Sequence, residues 1–310
     1  MPELPEVETI ARGLAKRVAG DVIDSVWLGQ KKEPLKSSAQ AIASTLEHGR
    51  IVDVRRMGKH IVFDLETNHV ARAPLPARRR AAHRKPKTSG RGSSFTAQRE
   101  ASEGDRSLHS NKAQWIVHLG MTGRLQVSDP QSEIEKHTHA ILKLASGREL
   151  RFVDPRRFGR LSVVATGDFE AGGLEPLDVA LEPFVNLFRG RKTPIKSALL
   201  NQKLLRGVGN IYADESLFRA GIRPRRRAAT ITREQLAKLH AAIKEVLKEA
   251  IALGGSSISD YVDADGEAGF FQLQHRVYGR EGEPCLVCKT PIKRVVIAGR
   301  SSHYCPNCQK

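Results

Sequence analysis

The first three residues, Met1-Pro2-Glu3, are of types that could carry covalent chemistry. Methionine before a small residue is a usual substrate for removal of the initiator residue, which would leave Pro2 as a free secondary amine. An α-amino group has a pKa of about 7.7–8.0, so a sizeable fraction is neutral near neutral pH. A neutral amine can form an iminium with an electrophilic carbon, and Glu3 beside it could shuttle a proton. On these residues alone, two alternatives stay open: an inert end with Pro5 opening a helix, or the N-terminal proline of a small tautomerase.

All four cysteines lie in the last 26 residues, as Cys285-x2-Cys288 and Cys305-x2-Cys308 with sixteen residues between the pairs. This spacing is typical of a structural zinc site with four thiolate ligands and no open coordination position. An iron–sulfur cluster and a redox dithiol are alternatives, but neither needs a hairpin of this length between the pairs. We therefore expect one structural Zn2+ and no nucleotide or redox cofactor. Because no cysteine is left for a disulfide, the pattern fits a reducing compartment.

The charge balance indicates a polyanionic partner. There are 51 Lys and Arg against 34 Asp and Glu, which gives a formal net charge of +17 at pH 7. A positive field of this size attracts nucleic acid, with binding that weakens steeply as salt is added. Basic residues also surround the cysteines, where they suit either a finger laid on a phosphate backbone or a solvated face: Lys289, Lys293, Arg294, Arg300 and Lys310.

Membrane attachment is not expected. No stretch approaches the roughly 20 apolar residues that cross a bilayer, and the N-terminus shows no basic region followed by an apolar run. We expect a cytosolic protein with no membrane partner.

Periodicity predicts the elements that must position these groups. Apolar residues at spacings of three and four over 7–18 predict an opening helix that ends near Gly20. Short runs rich in branched residues then predict about eight strands of an antiparallel sandwich or barrel, at 22–28, 51–55, 61–65, 115–119, 124–127, 140–144, 149–153 and 161–164. We assign this first domain to residues 1–181. The stretch 72–113 is rich in Arg, Ala and Ser with almost no large apolar residue, so we interpret it as a disordered basic insertion.

From Glu182 the pattern becomes helical, and we assign a helical domain to residues 182–272. Thr232 and Gln235 have capping-box spacing, and the helix that they open is expected to end at Gly254-Gly255. Before it, the turn Gly207-Val208-Gly209-Asn210 leads into a second helical segment. Its free backbone N–H groups could bind a phosphate, although a purely structural turn is equally consistent with the composition. Residues 273–310 complete the chain as a zinc-finger β-hairpin, so the expected fold class is α+β multidomain.

Several separate segments together resemble one family, bacterial formamidopyrimidine-DNA glycosylase. They follow the family's order and span the chain apart from the insertion: Met-Pro-Glu-Leu-Pro-Glu-Val-Glu-Thr at 1–9, Arg-Met-Gly-Lys-His at 56–60, His-Leu-Gly-Met-Thr-Gly at 118–123, Asp-Pro-Arg-Arg-Phe-Gly at 154–159, Gly-Val-Gly-Asn-Ile-Tyr-Ala at 207–213, Val-Tyr-Gly-Arg at 277–280, and the cysteine pattern. The resemblance implies a helix-two-turn-helix in the helical domain. It also implies a bifunctional glycosylase and lyase that excises oxidised purines such as 8-oxoguanine from damaged double-stranded DNA.

The resemblance also implies roles for individual residues. Pro2 would attack C1′ of the damaged nucleoside, and Glu3 would donate the proton that helps the sugar ring to open. Lys59 would be the proton donor for β-elimination, and Arg300 would support δ-elimination. The family's triad that fills the gap left by the flipped base corresponds to Met121, Arg156 and Phe158, which could otherwise be core or ion-pair residues. Phosphate-gripping positions correspond to His137, Arg191, Lys196 and Asn210, and the segment 254–271 corresponds to the loop that closes over the base.

Three other interpretations compete with this one. Relatives of the endonuclease VIII type act on pyrimidine lesions and share the proline, glutamate, lysine and finger, but Leu4 and the Met121, Arg156 and Phe158 set favour the purine branch. A zinc-finger DNA-binding protein without catalysis would be expected to lack Pro2, Glu3 or Lys59. A tautomerase-like use of Pro2 would leave the finger and the charge unexplained. We expect a monomer with no obligate protein partner.

Overall fold

The computed structural model describes residues 2–31, 33–67, 112–257 and 269–310. The predicted insertion therefore lies outside the described residues, except for Lys112 and Ala113, which already belong to a strand. Most of the predicted base-closing loop lies outside them as well. Within the described part of the chain, no helix is long and apolar enough to cross a membrane.

The opening helix α1 spans Leu4–Val18 and follows the predicted period. Pro5 is tolerated in its first turn because the first N–H groups of a helix have no intrahelical acceptor. Its buried apolar residues share one face, namely Leu4, Val7, Ile10, Ala11, Leu14 and Val18. A second helix, α2 (Ala39–Leu46), begins where the hydroxyl of Ser38 accepts from the N–H of Ala41 at 3.1 Å. We did not predict α2.

Eight strands form the predicted antiparallel sandwich, with two four-stranded sheets in the orders β1-β6-β7-β5 and β2-β3-β4-β8. The strands are β1 (Ile23–Leu28), β2 (Arg50–Met57), β3 (His60–Glu66), β4 (Lys112–His118), β5 (Arg124–Ser128), β6 (Thr138–Leu144), β7 (Glu149–Val153) and β8 (Arg160–Ala165). One apolar core unites the inner faces of both sheets with α1 and α2. Phe63, Trp115 and Phe152 are among its largest fully buried side chains, so burial of these inner faces stabilises the sandwich.

The helical part contains α3 (Leu181–Asn186), α4 (Ile195–Leu199), α5 (Asn210–Arg219) and α6 (Arg233–Ala252), with short 3-10 turns at Ala228–Thr230 and Phe271–Gln274. The predicted capping box opens α6, since the hydroxyl of Thr232 accepts from the N–H of Gln235 and the side chain of Gln235 accepts from the N–H of Thr232. The helix ends two residues before Gly254, near the predicted stop. A second core lies among these helices.

The C-terminal hairpin pairs β9 (Lys293–Ile297) with β10 (Arg300–Tyr304) and packs against α5. The whole arrangement confirms the predicted fold class. Leu4, the first residue of α1, belongs to the core of the helical part, whereas the rest of α1 packs on the sandwich. The chain's first residues are thereby held where the two parts meet. The domain limits at 181/182 and 272/273 stay predictions.

Candidate active site

The start of α1 lies directly against the glycine-rich turn before α5. The N–H of Leu4 donates to the carbonyl of Gly207 at 3.0 Å. Gly207 has a φ of +88°, and a Cβ there would come within 2.7 Å of the Leu4 side chain. A Cβ on Gly209 would lie 2.2 Å from the Glu3 carboxyl carbon. Both glycines are therefore required because the N-terminal segment approaches the backbone so closely, and Pro2 is buried at this junction.

The carboxyl group of Glu3 occupies the N-terminus of α5. Its oxygens accept from the N–H of Ile211 at 3.1 Å and of Tyr212 at 3.5 Å. An acid here is favoured by the free N–H groups and by the helix dipole. Of the two alternatives for the 207–210 turn, these contacts favour the structural one, because the chain's own carboxyl group accepts from two N–H groups at the start of α5.

Burial sets the protonation of the catalytic candidates. Glu3 is 3% exposed, and burial raises its pKa to about 7, against the opposing charge of Lys59. Lys59, on the turn between β2 and β3, is also buried, and burial lowers its pKa against the opposing Glu3 and Glu6 carboxyls. The charge of Arg300, which is exposed at the start of β10, lowers the pKa of Lys59 further. The structure therefore brings Glu3, Lys59 and Arg300 close enough for the charges of Glu3 and Arg300 to act on Lys59, and Glu3 directly follows Pro2.

Glu6 is a second buried acid that the sequence analysis missed. Its carboxyl oxygens accept from the N–H of Glu3 at 2.8 Å, the N–H of Ser256 at 2.8 Å and the hydroxyl of Tyr212. Burial raises its pKa. Glu6 thus links Glu3, at the start of α1, to Ser256, in the segment that follows α6. In the sequence, this position of Glu6 is indicated by its spacing alone, because it lies three residues after the N-cap residue Glu3, as in a capping box.

Lys196 is placed differently from the prediction. We expected it to grip a phosphate, but its side chain has 0% exposed surface and its Nζ lies 2.7 Å from the Asp214 carboxylate. The same Nζ donates to the carbonyl of Ser301 at 2.6 Å, and Asp214 also accepts from the N–H of His303 at 2.8 Å. A buried charge needs such partners, so in this structure Lys196 fixes the finger to α5 and makes no surface available to DNA.

Asn210, another predicted phosphate contact, also faces the finger. Its Nδ2 donates to the hydroxyl of Ser301 at 3.3 Å. The neighbouring acid Glu215 is buried and accepts from the N–H groups of Arg276, Val277 and Tyr278 at 2.8–3.1 Å. Sequence reasoning missed Asp214 and Glu215, although two adjacent acids inside a helix with an apolar face were a visible anomaly.

Met121, Arg156 and Phe158 come together on two adjacent loops. Met121 is 39% and Phe158 46% exposed, and the Arg156 guanidinium lies over the Phe158 ring at 5.0 Å. The loops are so close that a Cβ on Gly120 would be 2.5 Å from the Phe158 backbone. Such exposed apolar groups beside an arginine could replace a base in a stack.

Asp154 holds these two loops together and was also missed. It is fully buried, and its oxygens accept from the hydroxyl of Thr122 at 2.7 Å and the N–H of Gly159 at 2.7 Å. The two remaining predicted phosphate contacts, His137 and Arg191, are exposed on the sandwich and after α3, and their roles stay predictions.

The four cysteines converge as a metal site. Their Sγ atoms all lie within 4.8 Å of one another, with 3.4 Å between Cys288 and Cys305 and 3.9 Å between Cys285 and Cys308. Tetrahedral zinc with Zn–S bonds of about 2.3 Å requires S···S separations of roughly 3.8 Å. The cluster therefore fits a zinc ion with all four positions filled by protein.

Comparison with known families covers almost all of the chain. Residues 1–161 match the formamidopyrimidine-DNA glycosylase N-terminal domain and residues 173–262 match the formamidopyrimidine-DNA glycosylase H2TH domain. Residues 282–310 match the zinc finger found in FPG and IleRS. The four cysteines lie within this last match, and together with their geometry it confirms one structural zinc ion.

Curated relatives and solved structures agree with these matches. The formamidopyrimidine-DNA glycosylase of Solibacter usitatus is 42% identical over 316 residues, with 100% of both chains covered. That of Thermus thermophilus is 40% identical, covering 100% of this chain and 98% of the other, and the crystal structure of MutM (Fpg) from this organism superposes with a TM-score of 0.77 at 38% identity, covering 99% and 98%. Lactococcus lactis Fpg bound to abasic-site DNA gives a TM-score of 0.80 at 29% identity, covering 99% of each chain. The chain therefore belongs to the formamidopyrimidine-DNA glycosylase family, the DNA glycosylases of base excision repair.

Proposed function

We propose that this glycosylase excises oxidised purines from duplex DNA and then cuts the strand through a covalent intermediate on Pro2. The observation that carries this is the buried junction of Pro2 with Glu3 and Lys59, where burial raises the pKa of the Glu3 carboxyl to about 7 and lowers that of the Lys59 ammonium. Groups with pKa values near the working pH are the most effective proton donors and acceptors. A carboxyl group and an amine whose pKa values are shifted in these directions suit a reaction that transfers several protons.

The first step would use Pro2 after removal of Met1. Its neutral secondary amine attacks C1′, the bond from C1′ to the base breaks, and the departing base takes up a proton. Protonated Glu3 donates to the sugar ring oxygen, the ring opens and an iminium links Pro2 to C1′. Because Glu3 is fixed by Ile211 and Tyr212 at the N-terminus of α5, its proton is delivered from a defined position.

Strand cleavage would follow from the same intermediate. Loss of a C2′ proton breaks the C3′–O3′ bond in β-elimination and releases one strand end as a 5′-phosphate, with Lys59 as the proton donor. Loss of a C4′ proton then breaks the C5′–O5′ bond in δ-elimination and releases the other strand end as a 3′-phosphate, with support from Arg300. Arg300 begins β10 directly after the tight turn Ala298-Gly299, both of which have positive φ. The charge of Arg300 acts on Lys59, which supports a shared role of the finger and the sandwich in strand cleavage.

The DNA partner is proposed to be a damaged duplex with one base flipped out. Met121 and Phe158 would fill the gap, and Arg156 would contact the orphaned cytosine. Lactococcus lactis Fpg, a relative, has been crystallised with abasic-site DNA and with DNA containing an oxidised pyrimidine. We also propose that the enzyme acts as a monomer in the bacterial cytosol, which the bacterial origin of the relatives supports.

A nicking assay tests the proposal. We expect wild-type protein to cut a duplex with 8-oxoguanine opposite cytosine faster than one with thymine glycol, leaving phosphates at both ends of the gap. The Arg300→Ala variant should stop largely after β-elimination, and Lys59→Ala should slow strand cleavage. Faster cutting at thymine glycol would assign the enzyme to pyrimidine lesions, and products unchanged in Arg300→Ala would contradict the role of the finger.

A further inference from the structure

Met121 lies in a tight turn between β4 and β5. The N–H of Gly123 donates to the carbonyl of Leu119 at 2.9 Å, and a Cβ on Gly123 would lie 2.1 Å from that same oxygen. The hydroxyl of the next residue, Thr122, donates to the carboxylate of the buried Asp154 at 2.7 Å. The backbone of the turn is therefore fixed on both sides of Met121, whereas Met121 itself is 39% exposed.

Met121 is the more accessible of the two methionines that the structure describes. The sequence contains three methionines, and Met1 is the initiator residue that must be removed to free the proposed nucleophile. Met57 is half-buried at the end of β2, where it pairs with His60 in the hairpin register. Since oxidation of sulfur follows its accessibility, the thioether of Met121 is the methionine sulfur that a dissolved oxidant reaches most easily.

Oxidation changes the chemical character of this side chain. The thioether sulfur attacks one oxygen of hydrogen peroxide, so that an S–O bond forms and the O–O bond breaks. The proton of the transferred hydroxyl passes to the departing hydroxide, which leaves as water. Sulfur loses two electrons in this step and the peroxide gains them. The product, methionine sulfoxide, is polar, and methionine sulfoxide reductases convert it back to the thioether.

The place of Met121 beside Phe158 gives this change a consequence for DNA binding. The two loops are in close contact, since a Cβ on Gly120 would be 2.5 Å from the Phe158 backbone. In the proposed function, both side chains enter the gap that the flipped base leaves in the stack. A sulfoxide oxygen buried between bases without a donor costs free energy. Phe158 has no sulfur, so the oxidant alters only one of the two gap-filling side chains.

We propose that Met121 is a site of reversible oxidation to the sulfoxide, through which a peroxide lowers the affinity of this glycosylase for damaged duplex DNA. The oxidised protein keeps Pro2, Glu3 and Lys59 and the same net charge. It therefore loses affinity for the gap in a damaged duplex and retains its electrostatic binding to undamaged DNA. This inference rests on the proposed function.

The test measures dissociation constants for a duplex with an uncleavable abasic analogue and for an undamaged duplex. Both are measured before and after treatment with hydrogen peroxide, which catalase then removes. Peptide mass spectrometry should show one added oxygen on Met121. The Kd for the abasic duplex should rise roughly 5- to 150-fold, the effect of burying one unpaired polar group, while the Kd for the undamaged duplex stays unchanged. Treatment with the two reductases that act on the two sulfoxide epimers should reverse the rise.

Two leucine variants are the matched controls, and each is compared with its own untreated sample. Met121→Leu has no sulfur at this position, so peroxide should leave its Kd for the abasic duplex unchanged. Met57→Leu keeps the Met121 sulfur and should respond to peroxide as the wild type does.

Three results would overturn the proposal: no oxidation of Met121, oxidation of Met121 without a change in Kd, or an equal loss of affinity in peroxide-treated Met121→Leu. The last result would assign the loss to other groups, such as the cysteines of the finger. Borohydride trapping of the untreated wild type on a cleavable abasic duplex is scored separately, so failure of the oxidation site and failure of the Pro2 chemistry are distinguishable.

Discussion

Replacing Glu3 by Gln should make the protein more stable, and increasingly so as the pH rises. Burial raises the pKa of Glu3 from 4.5 to about 7. One pKa unit corresponds to about 1.4 kcal/mol, so ionised Glu3 costs the folded state about 3 kcal/mol. Between these two pH values the unfolded chain has lost the proton and the folded chain keeps it, so wild-type stability falls as the pH rises. Gln keeps an oxygen for the N–H of Ile211 but does not titrate.

Urea unfolding of both proteins across this pH range measures the effect. The difference in unfolding free energy, variant minus wild type, should be smallest below pH 4.5, grow by about 3 kcal/mol up to pH 7 and stay constant above it. Glu66→Gln, at the exposed end of β3, is the control for the loss of one acidic group at the surface. A flat difference for Glu3→Gln, or one that grows toward acid, would refute the burial argument. The same variant should lose about 10²–10⁴ in base excision if Glu3 is the proton donor.

Three further changes test other parts of the structure. Cys288→Ser should release zinc, measured with a chromogenic chelator, and lose duplex binding with it; full binding without metal would show that the finger is dispensable. Lys196→Met should lower the unfolding free energy by about 3–5 kcal/mol because it leaves Asp214 buried without its cation, and restoration by Asp214→Asn is the check. Asp154→Ala should weaken duplex binding by loosening both gap-filling loops while leaving cleavage of single-stranded abasic DNA unchanged; equal losses on both substrates would contradict this.

The features that were predicted from the sequence depend mainly on residues that are close together in the chain. The period of α1 and the Thr232–Gln235 capping box are confirmed because a helix buries one face and must satisfy its first N–H groups from nearby residues. The sandwich is confirmed because short runs rich in branched residues are typical of antiparallel strands. The cysteine spacing alone was enough for the zinc site. Helix α2 was missed, although Ser38 offered an N-cap signal, because it has only eight residues.

Contacts between distant parts of the chain were not predictable in this way. Lys196 was assigned to DNA because its surroundings were read from the resemblance, whereas its position depends on Asp214 and on Ser301, which is 105 residues away. Glu3 and the N–H of Ile211 are 208 residues apart. No window of sequence shows that a carboxyl group from α1 will occupy the start of α5. The buried acids Asp214 and Glu215 share this property, since each accepts hydrogen bonds from another element. Glu6 shares it in part, since it accepts from the N–H of Glu3 nearby and from the N–H of Ser256, which is 250 residues away.

Borohydride trapping with a native, untagged N-terminus tests the central assignment, the Pro2 nucleophile, most directly. The substrate is a duplex with one 8-oxoguanine opposite cytosine, and the adduct is mapped by peptide mass spectrometry. We predict a reduced covalent adduct on the N-terminal peptide at Pro2, absent when a tag precedes Pro2 even though the tagged protein still binds the duplex. An adduct on a lysine such as Lys59, or normal strand cleavage by the tagged protein, would contradict the assignment of Pro2.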